Sequence, residues 1–295
     1  MSVQVYDPRV KPRQASYGIG RCDPRWDWFW RAVHHADQAM LIPMVDPRRA
    51  PVDILNPQAG TATGSPSYPI AECGANVHGP CVDTDGSSSY FTVPGPGSAM
   101  APVRVFFGVF TPHVYQPSGA GTVVQFNRSS ESTAGFFLEQ YTPRADGDYF
   151  VWDNGAGRVS AYLQPPYLRP QFWAYSINGP DSPFFFFQNV LSQKRDLRTS
   201  FSQSTSAYPW DWARMGCAPG WNEYFGGRNH LVGALTFSSG DASLAPTLSQ
   251  MLELARDPWG PFRPELLGRA YKAPTIYILE GQAGAVSVAG LNATV

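Results

Sequence analysis

From Tyr90 onward, short apolar segments recur along the chain and are separated by residues that favour tight turns. They recur roughly every 10 to 20 residues, and several gaps hold dipeptides that tolerate the positive φ of a hairpin turn, Asp146-Gly147, Asn154-Gly155 and Asn178-Gly179. The 28 glycines and 28 prolines among 295 residues leave little room for long helices. The sequence therefore predicts an all-β fold, an antiparallel β-sandwich.

The charge balance excludes several classes of protein. With a net charge of −1 and 15% charged residues, the chain lacks the basic surface that binds nucleic acid. No apolar run approaches the ~20 residues of a membrane helix, so membrane insertion is not expected. Residues 1–21 have no continuous apolar core, so we expect no secretory leader.

A short helix is predicted to begin at Asp23-Pro24, where Asp is a good N-cap and Pro suits the first turn. Its apolar face, with spacing i, i+3, i+4 and i+7, consists of Trp26, Phe29, Trp30 and Val33. This face either packs on its own domain or docks on a partner subunit. A second helix is predicted at residues 247–256, where Thr247 and Gln250 form a capping box.

The carboxylates do not form a catalytic pattern in the sequence. A strand supplies the paired carboxylates of a glycoside hydrolase at i and i+2 or i+4, and Glu139 has no acidic neighbour at either offset. Asp146 and Asp148 flank a hairpin turn, which explains both residues. Nucleophile-elbow, metalloprotease, phosphate-loop and dinucleotide motifs are also missing. We therefore expect a protein that is not an enzyme; the alternative, a glycan-cleaving enzyme, would depend on Glu139 or Asp148.

Three tryptophans lie close together at residues 207–221, a segment that we interpret as a long, structured insertion; they are Trp210, Trp212 and Trp221. Such a segment either covers one end of the sandwich as a packed aromatic cluster or stacks its rings on sugars.

The order of several motifs resembles the laminin-G-like, concanavalin A-like jelly-roll domains. These motifs are Asp85-Gly86 leading into Tyr90–Val93, the apolar strand at 104–110, the Tyr224–Arg228 segment before Leu231–Phe237, and Asp257-Pro258-Trp259 with Phe262 after the second helix. The closing combination is similar to that of jelly-roll proteins encoded among the structural genes of tailed bacteriophages. The resemblance covers about residues 38–264, between an N-terminal arm and helix at 1–37 and a C-terminal tail at 265–295.

The resemblance implies a non-enzymatic structural component of a tailed-phage virion, either a capsid decoration protein or a tail or fibre protein, assembled in the bacterial cytoplasm. Its expected partners are other capsid or tail subunits, docked through the termini and the Trp26–Val33 face, and further copies of the chain. The alternative is a carbohydrate-binding host-attachment module that binds host glycan through Trp210, Trp212 and Trp221. Laminin-G-like domains often bind calcium, and the candidate ligands are Asp83, Asp85 and Asp241; no other cofactor is expected.

Overall fold

The computed structural model describes residues 24–44, 51–56, 60–74, 77–113, 119–127, 135–142, 148–153, 157–162, 169–203, 207–218, 223–262, 281–282 and 285–286. The predicted N-terminal arm and most of the predicted tail lie outside these ranges. The helices of the described part are α1 (Asp27–His35) and α2 (Leu248–Arg256). Its strands are β1 (Gln38–Pro43), β2 (Thr61–Thr63), β3 (Ile70–Gly74), β4 (Val77–Pro80), β5 (Val82–Asp85), β6 (Tyr90–Ala99), β7 (Val103–Pro112), β8 (Gly119–Asn127), β9 (Gly135–Thr142), β10 (Asp148–Asp153), β11 (Gly157–Tyr162), β12 (Gln171–Ile177), β13 (Phe184–Asn189), β14 (Arg195–Arg198), β15 (Pro209–Met215), β16 (Cys217–Ala218), β17 (Glu223–Tyr224), β18 (Gly226–Phe237), β19 (Gly281–Gln282) and β20 (Ala285–Val286).

Most of the strands belong to two sheets. A seven-stranded sheet has the order β1-β18-β7-β12-β13-β14, with β5 also paired to β18. A nine-stranded sheet has the order β11-β10-β9-β8-β15-β6-β2, and β17 joins it by pairing with β8 and β16. The pairings are antiparallel apart from the parallel contact of β17 with β8. The antiparallel jelly-roll sandwich that the sequence predicts is confirmed.

The seven-stranded sheet is buried on both faces. Every described position of β7, β12 and β13 is buried. One face packs against the nine-stranded sheet, and the other packs against the helices. A strand covered on both sides has no solvent-facing positions, which explains the unbroken phenylalanine run of Phe184–Phe187.

Helix α1 packs on the face of the seven-stranded sheet that is turned away from the nine-stranded sheet. It follows a 3-10 turn at Pro24–Trp26, and Trp26, Phe29 and Val33 are buried in the cluster between the helices and the seven-stranded sheet. Trp30 is half-buried and donates a hydrogen bond from Nε1 to the Pro261 carbonyl oxygen at 3.0 Å. This placement corrects the docking interpretation, because the apolar face already packs against its own chain.

Helix α2 begins with the capping box that the sequence predicts. The Thr247 hydroxyl accepts from the Gln250 backbone N–H at 3.2 Å, and the Gln250 side-chain oxygen accepts from the Thr247 N–H at 2.9 Å. Met251, Leu254 and Ala255 are buried against the seven-stranded sheet. In the described part of the chain, no helix has the length and apolar character needed to cross a membrane.

A buried charged cluster joins the two sheets. Arg104 on β7 and Asp153 on β10 form an ion pair at 2.8 Å, and both side chains are 0% exposed. The Tyr175 hydroxyl donates to the second Asp153 oxygen at 3.3 Å, and the Arg104 guanidinium lies 4.6 Å from the centroid of the Tyr208 ring. The sequence pattern does not reveal this cluster, because its members come from four separate segments.

Candidate functional site

The aromatic segment interpreted as an insertion is a strand inside the nine-stranded sheet. β15 lies between β6 and β8, and its register with β6 shifts between Trp210 and Trp212. Trp210 is 0% exposed and lies edge-on to Phe126 in the core between the sheets, with ring centroids 5.8 Å apart. This position corrects its candidate role in sugar stacking, since no face of the ring is accessible. Trp221 lies outside the described residues.

Trp212 lies on the opposite, outer face of this sheet. Ala213 and Met215 belong to the core between the sheets, so the alternating residues Trp212 and Arg214 point away from it. Trp212 is 8% exposed, because its ring is covered in part by the Arg214 guanidinium, whose central carbon lies 4.0 Å from the ring centroid.

A row of side chains crosses the outer face. Strand pairing places residues opposite one another on β6, β15, β8, β9 and β10, and we call the set the outer row: Thr92, Arg214, Gln125, Phe137 and Trp152. Neighbouring strands lie about 4.8 Å apart, so the outer row extends over about 19 Å. This length gives one continuous strip of aromatic and polar groups across the sheet.

Arg214 organises one end of the outer row. Besides its contact with Trp212, its guanidinium lies 5.2 Å from the Tyr90 ring centroid, and its Nε donates to the Thr92 hydroxyl at 3.3 Å. Its terminal nitrogens form no hydrogen bond with another described residue. Partial burial lowers the pKa of Arg214, and its charge is retained at neutral pH. The side chain is therefore a positioned cation with donors left for a ligand.

The other end of the outer row is aromatic. Phe137 and Trp152 stack with ring centroids 5.2 Å apart and an interplanar angle of 19°. Trp152 is half-buried, whereas Phe137 beneath it is buried. The stack presents an apolar ring surface beside the polar middle of the row.

Two buried polar atoms on the outer face lack a partner. They are Oε1 of Gln125, a residue that is 5% exposed, and Nε1 of Trp212. A buried polar group without a hydrogen bond costs about 1–3 kcal/mol. Most buried polar groups in proteins have a partner, and here both unpartnered atoms lie on the same face, one an acceptor and the other a donor.

Two carboxylates meet beside the outer row. The Thr122 hydroxyl lies 3.3 Å from a Glu139 carboxylate oxygen and 3.4 Å from a Glu223 carboxylate oxygen. Glu139 is 3% exposed, Thr122 is buried, and Glu223 is half-buried. Pairing of β9 and β17 with the same strand, β8, brings the two glutamates together. The sequence does not indicate this pair, because Glu139 and Glu223 are far apart along the chain.

The candidate calcium ligands are occupied by protein partners. Asp83 is bonded to Nε2 of His113 at 2.5 Å and to Nε of Arg228 at 3.2 Å. Burial raises the pKa of Asp83, but these hydrogen bonds and nearby positive charges outweigh burial and lower it. The carboxylates of Asp85 and Asp241 accept from a serine turn and from Ser238, respectively.

The described residues contain no group of three or more His, Cys, Asp or Glu side chains that could hold a metal. Asp83 and Asp85 lie on β5, whereas Asp241 lies on a 3-10 helix, Ser239–Leu244. The structure therefore does not assemble the predicted ligand set. Asp148, the other carboxylate of the enzyme alternative, lies at the start of β10, and its side chain is outside the described part.

No family model and no curated protein matches the chain. It is similar to the solved VIP36 exoplasmic/lumenal domain in its Ca2+/Man2-bound form, at 9% identity and a TM-score of 0.42, over 69% of this chain and 90% of that one. Tailspike protein 2 of the Escherichia coli O157:H7 bacteriophage CAB120 matches at 14% identity and a TM-score of 0.43, over 60% of this chain and 25% of that one. Domain 4 of AbnA, a GH43 extracellular arabinanase of Geobacillus stearothermophilus in complex with arabinotriose, matches at 16% identity and a TM-score of 0.43, over 74% of this chain and 100% of that one. Similarity at this level describes a type of fold and assigns no ligand or activity.

Proposed function

We propose that this protein binds carbohydrate through the outer face of the nine-stranded sheet, the role of the host-attachment module that the sequence suggests as an alternative. The observation that carries this proposal is the outer row. It combines a stack of a half-buried tryptophan on a buried phenylalanine with a positioned guanidinium and with buried polar atoms that lack partners. Ligand sites typically have this composition, mostly apolar and aromatic with a few fixed polar groups.

The chemistry of a sugar matches these groups. A pyranose ring has faces of C–H groups that pack on an aromatic ring, and Trp152 presents such a ring. Its hydroxyl groups both donate and accept, so one can donate to Oε1 of Gln125 while another accepts from Arg214. Supplying partners to buried polar groups removes their desolvation penalty, which favours binding.

Binding to a glycan array, followed by titration of the best ligand, tests the proposal. We expect Trp152→Ala to weaken binding by at least about tenfold, because removal of a stacked aromatic costs on the order of 1.4 kcal/mol or more. The fold should be retained, since Trp152 lies on the outer face and not in the core between the sheets.

Trp28→Ala is the matched control. Trp28 is also a half-buried tryptophan, but it packs among the helices on the far side of the seven-stranded sheet. Its removal should leave glycan binding unchanged. A folded wild-type protein that binds no glycan on the array would refute the proposal, and so would equal losses from the two variants.

We further propose, on the sequence resemblance, that this binding attaches a tailed-phage virion to its host. Other virion subunits would then be partners, and the protein would be assembled in the bacterial cytoplasm. Docking to those subunits would use surfaces other than the buried residues of the α1 face, Trp26, Phe29 and Val33.

A further inference from the structure

The position of the two glutamates beside the outer row points to catalysis. We propose that Glu139 and Glu223 are an acid and nucleophile pair that hydrolyses a glycosidic bond of the carbohydrate bound on the outer face. This inference rests on the proposed function, because the outer row holds the substrate. It reverses the expectation from the sequence that the protein is not an enzyme.

The separation of the carboxylates suits this chemistry. Both carboxylate oxygens lie within reach of one hydroxyl, so they are at most about 6.7 Å apart, which excludes nearly all of the range of about 6.5 to 9.5 Å found in inverting enzymes. Retaining glycoside hydrolases hold their two carboxyl groups about 5 to 5.5 Å apart. The geometry therefore favours the mechanism with a covalent glycosyl-enzyme intermediate.

The shared hydroxyl can bridge the two carboxyl groups when one of them carries a proton. Thr122 has a single hydroxyl proton and can donate it to only one of the two carboxylates. If one glutamate is protonated, it donates to Oγ1 while Oγ1 donates to the other. One glutamate is then an acid and the other a carboxylate, which is the state needed to begin the reaction.

Burial assigns the two roles. Glu139 is 3% exposed and lies two residues from the Phe137–Trp152 stack on the same face, so it is the acid. Glu223 is half-buried, retains access to water and is the nucleophile. Glu139 gives its proton to the glycosidic oxygen as the C1–O bond breaks and the Glu223 carboxylate bonds to C1. Water then attacks C1, loses a proton to Glu139 and releases Glu223, so both groups return to their starting state.

Gln125 also indicates a ligand beside the glutamate pair. Val123 and Val124 both point into the core at the register shift in β8, so Thr122 and Gln125 are successive outward-facing residues. The side chain of Gln125, with its unpartnered Oε1, thus lies on the same face as the glutamate pair. Gln125 as a residue is 5% exposed. It is positioned to accept from a hydroxyl of the sugar whose bond is cleaved.

The experiment measures release of reducing ends from a panel of purified bacterial cell-surface polysaccharides by the full chain. We expect Glu139→Gln and Glu223→Gln to lower turnover by at least about a hundredfold, with glycan binding retained. Glu253→Gln, a change at a half-buried position of α2 on the far side of the seven-stranded sheet, is the control and should not alter turnover. Proton NMR of the first product should show retention of anomeric configuration.

Three further outcomes separate the proposals. If the wild type binds a polysaccharide but does not cleave it, catalysis is refuted and carbohydrate binding stands. If no polysaccharide is bound, the proposed function and this inference both fail. Inversion of the anomeric configuration would refute the nucleophile role of Glu223.

If a glutamine variant does not fold, a mechanism-based 2-fluoro glycoside tests the nucleophile role in the wild type. Mass spectrometry should then find the inhibitor bound to Glu223 and not elsewhere.

Discussion

Gln125 is the residue at which the proposed carbohydrate site and the stability of the fold make opposite demands. Its Oε1 is buried and has no partner in the described structure. Methionine has a similar volume and no polar oxygen, so Gln125→Met should raise the free energy of unfolding by about 1 kcal/mol. The same change should weaken glycan binding, because a sugar hydroxyl loses its acceptor. Chemical denaturation and calorimetric titration measure the two effects.

Gln171→Met provides the comparison for that prediction. Gln171 is also a buried glutamine with an unpartnered Oε1, but it lies on β12 in the seven-stranded sheet. Its replacement should leave glycan binding unchanged. Lower stability of Gln125→Met together with normal binding would contradict a ligand role for Gln125.

His230 predicts how stability depends on pH. Burial, with a smaller effect from the charge of Arg228, lowers the pKa of His230 to about 3, and its Nε2 lies 2.9 Å from the Thr111 hydroxyl. The unfolded chain binds a proton below a pKa of about 6.5, whereas the folded protein does so only near 3. The contribution of His230 to stability is therefore present above pH 6.5 and is lost as the pH falls toward 3, by roughly 5 kcal/mol in total.

The double variant His230→Phe with Thr111→Val removes the titrating ring and the hydroxyl that it would leave unpaired. We expect its free energy of unfolding to fall less steeply between pH 6 and pH 4 than that of the wild type, as measured by urea denaturation. Equal slopes would show that His230 does not carry this dependence.

At the scale of elements, a β-bulge decides which tryptophans are available to a ligand. Residues two apart on a regular strand share a face, so Trp210 and Trp212 are expected to point the same way. The register shift between them sends Trp210 into the core and Trp212 to the outer face. Trp212 and Arg214 alternate with Ala213 and Met215, a pattern that indicates a strand. The bulge itself has no clear signature in the sequence.

In helix α1, too, one feature follows from neighbouring residues in the sequence and another from residues far away in the chain. The spacing of Trp26, Phe29 and Val33 predicts the apolar face correctly, because helical periodicity is local. The surface that covers this face comes from the other end of the chain, where Gly260 approaches the Trp26 ring and Pro261 accepts from Trp30. Packing between segments more than two hundred residues apart cannot be read from a helical pattern.

The glutamate pair was missed for this reason as well. Glu139 is 17 residues from Thr122, whereas Glu223 is 101 residues from it. Carboxylates at i and i+2 or i+4 are pairs on one strand, whereas Glu139 and Glu223 lie on two different strands, β9 and β17. The parallel contact of β17 with β8, which brings Glu223 into place, depends on the order of strands in the sheet.

At the scale of the whole molecule, the two sheets differ in what packs against their faces. The seven-stranded sheet is covered on one face by helices and on the other by the second sheet, and it supplies most of the rigid core. The nine-stranded sheet packs its inner face against the other sheet and carries the outer row on the opposite face. The recurrence of strands along the sequence was enough to predict the sandwich, because it depends on spacing alone. Which face carries the ligand depends on how the sheets pack.

The ion pair between Arg104 and Asp153 connects these two sheets through the core. Removing Asp153 takes the counter-ion from the buried Arg104 guanidinium, so Asp153→Ala should lower the free energy of unfolding by about 3–5 kcal/mol. Replacing three members of the cluster together, by Arg104→Met, Asp153→Leu and Tyr175→Phe, removes the buried charges as well as their attraction. This triple variant should therefore be more stable than Asp153→Ala, although it changes more residues. Urea denaturation of both variants tests the order, and a triple variant less stable than the single one would show that the pair itself holds the sheets together.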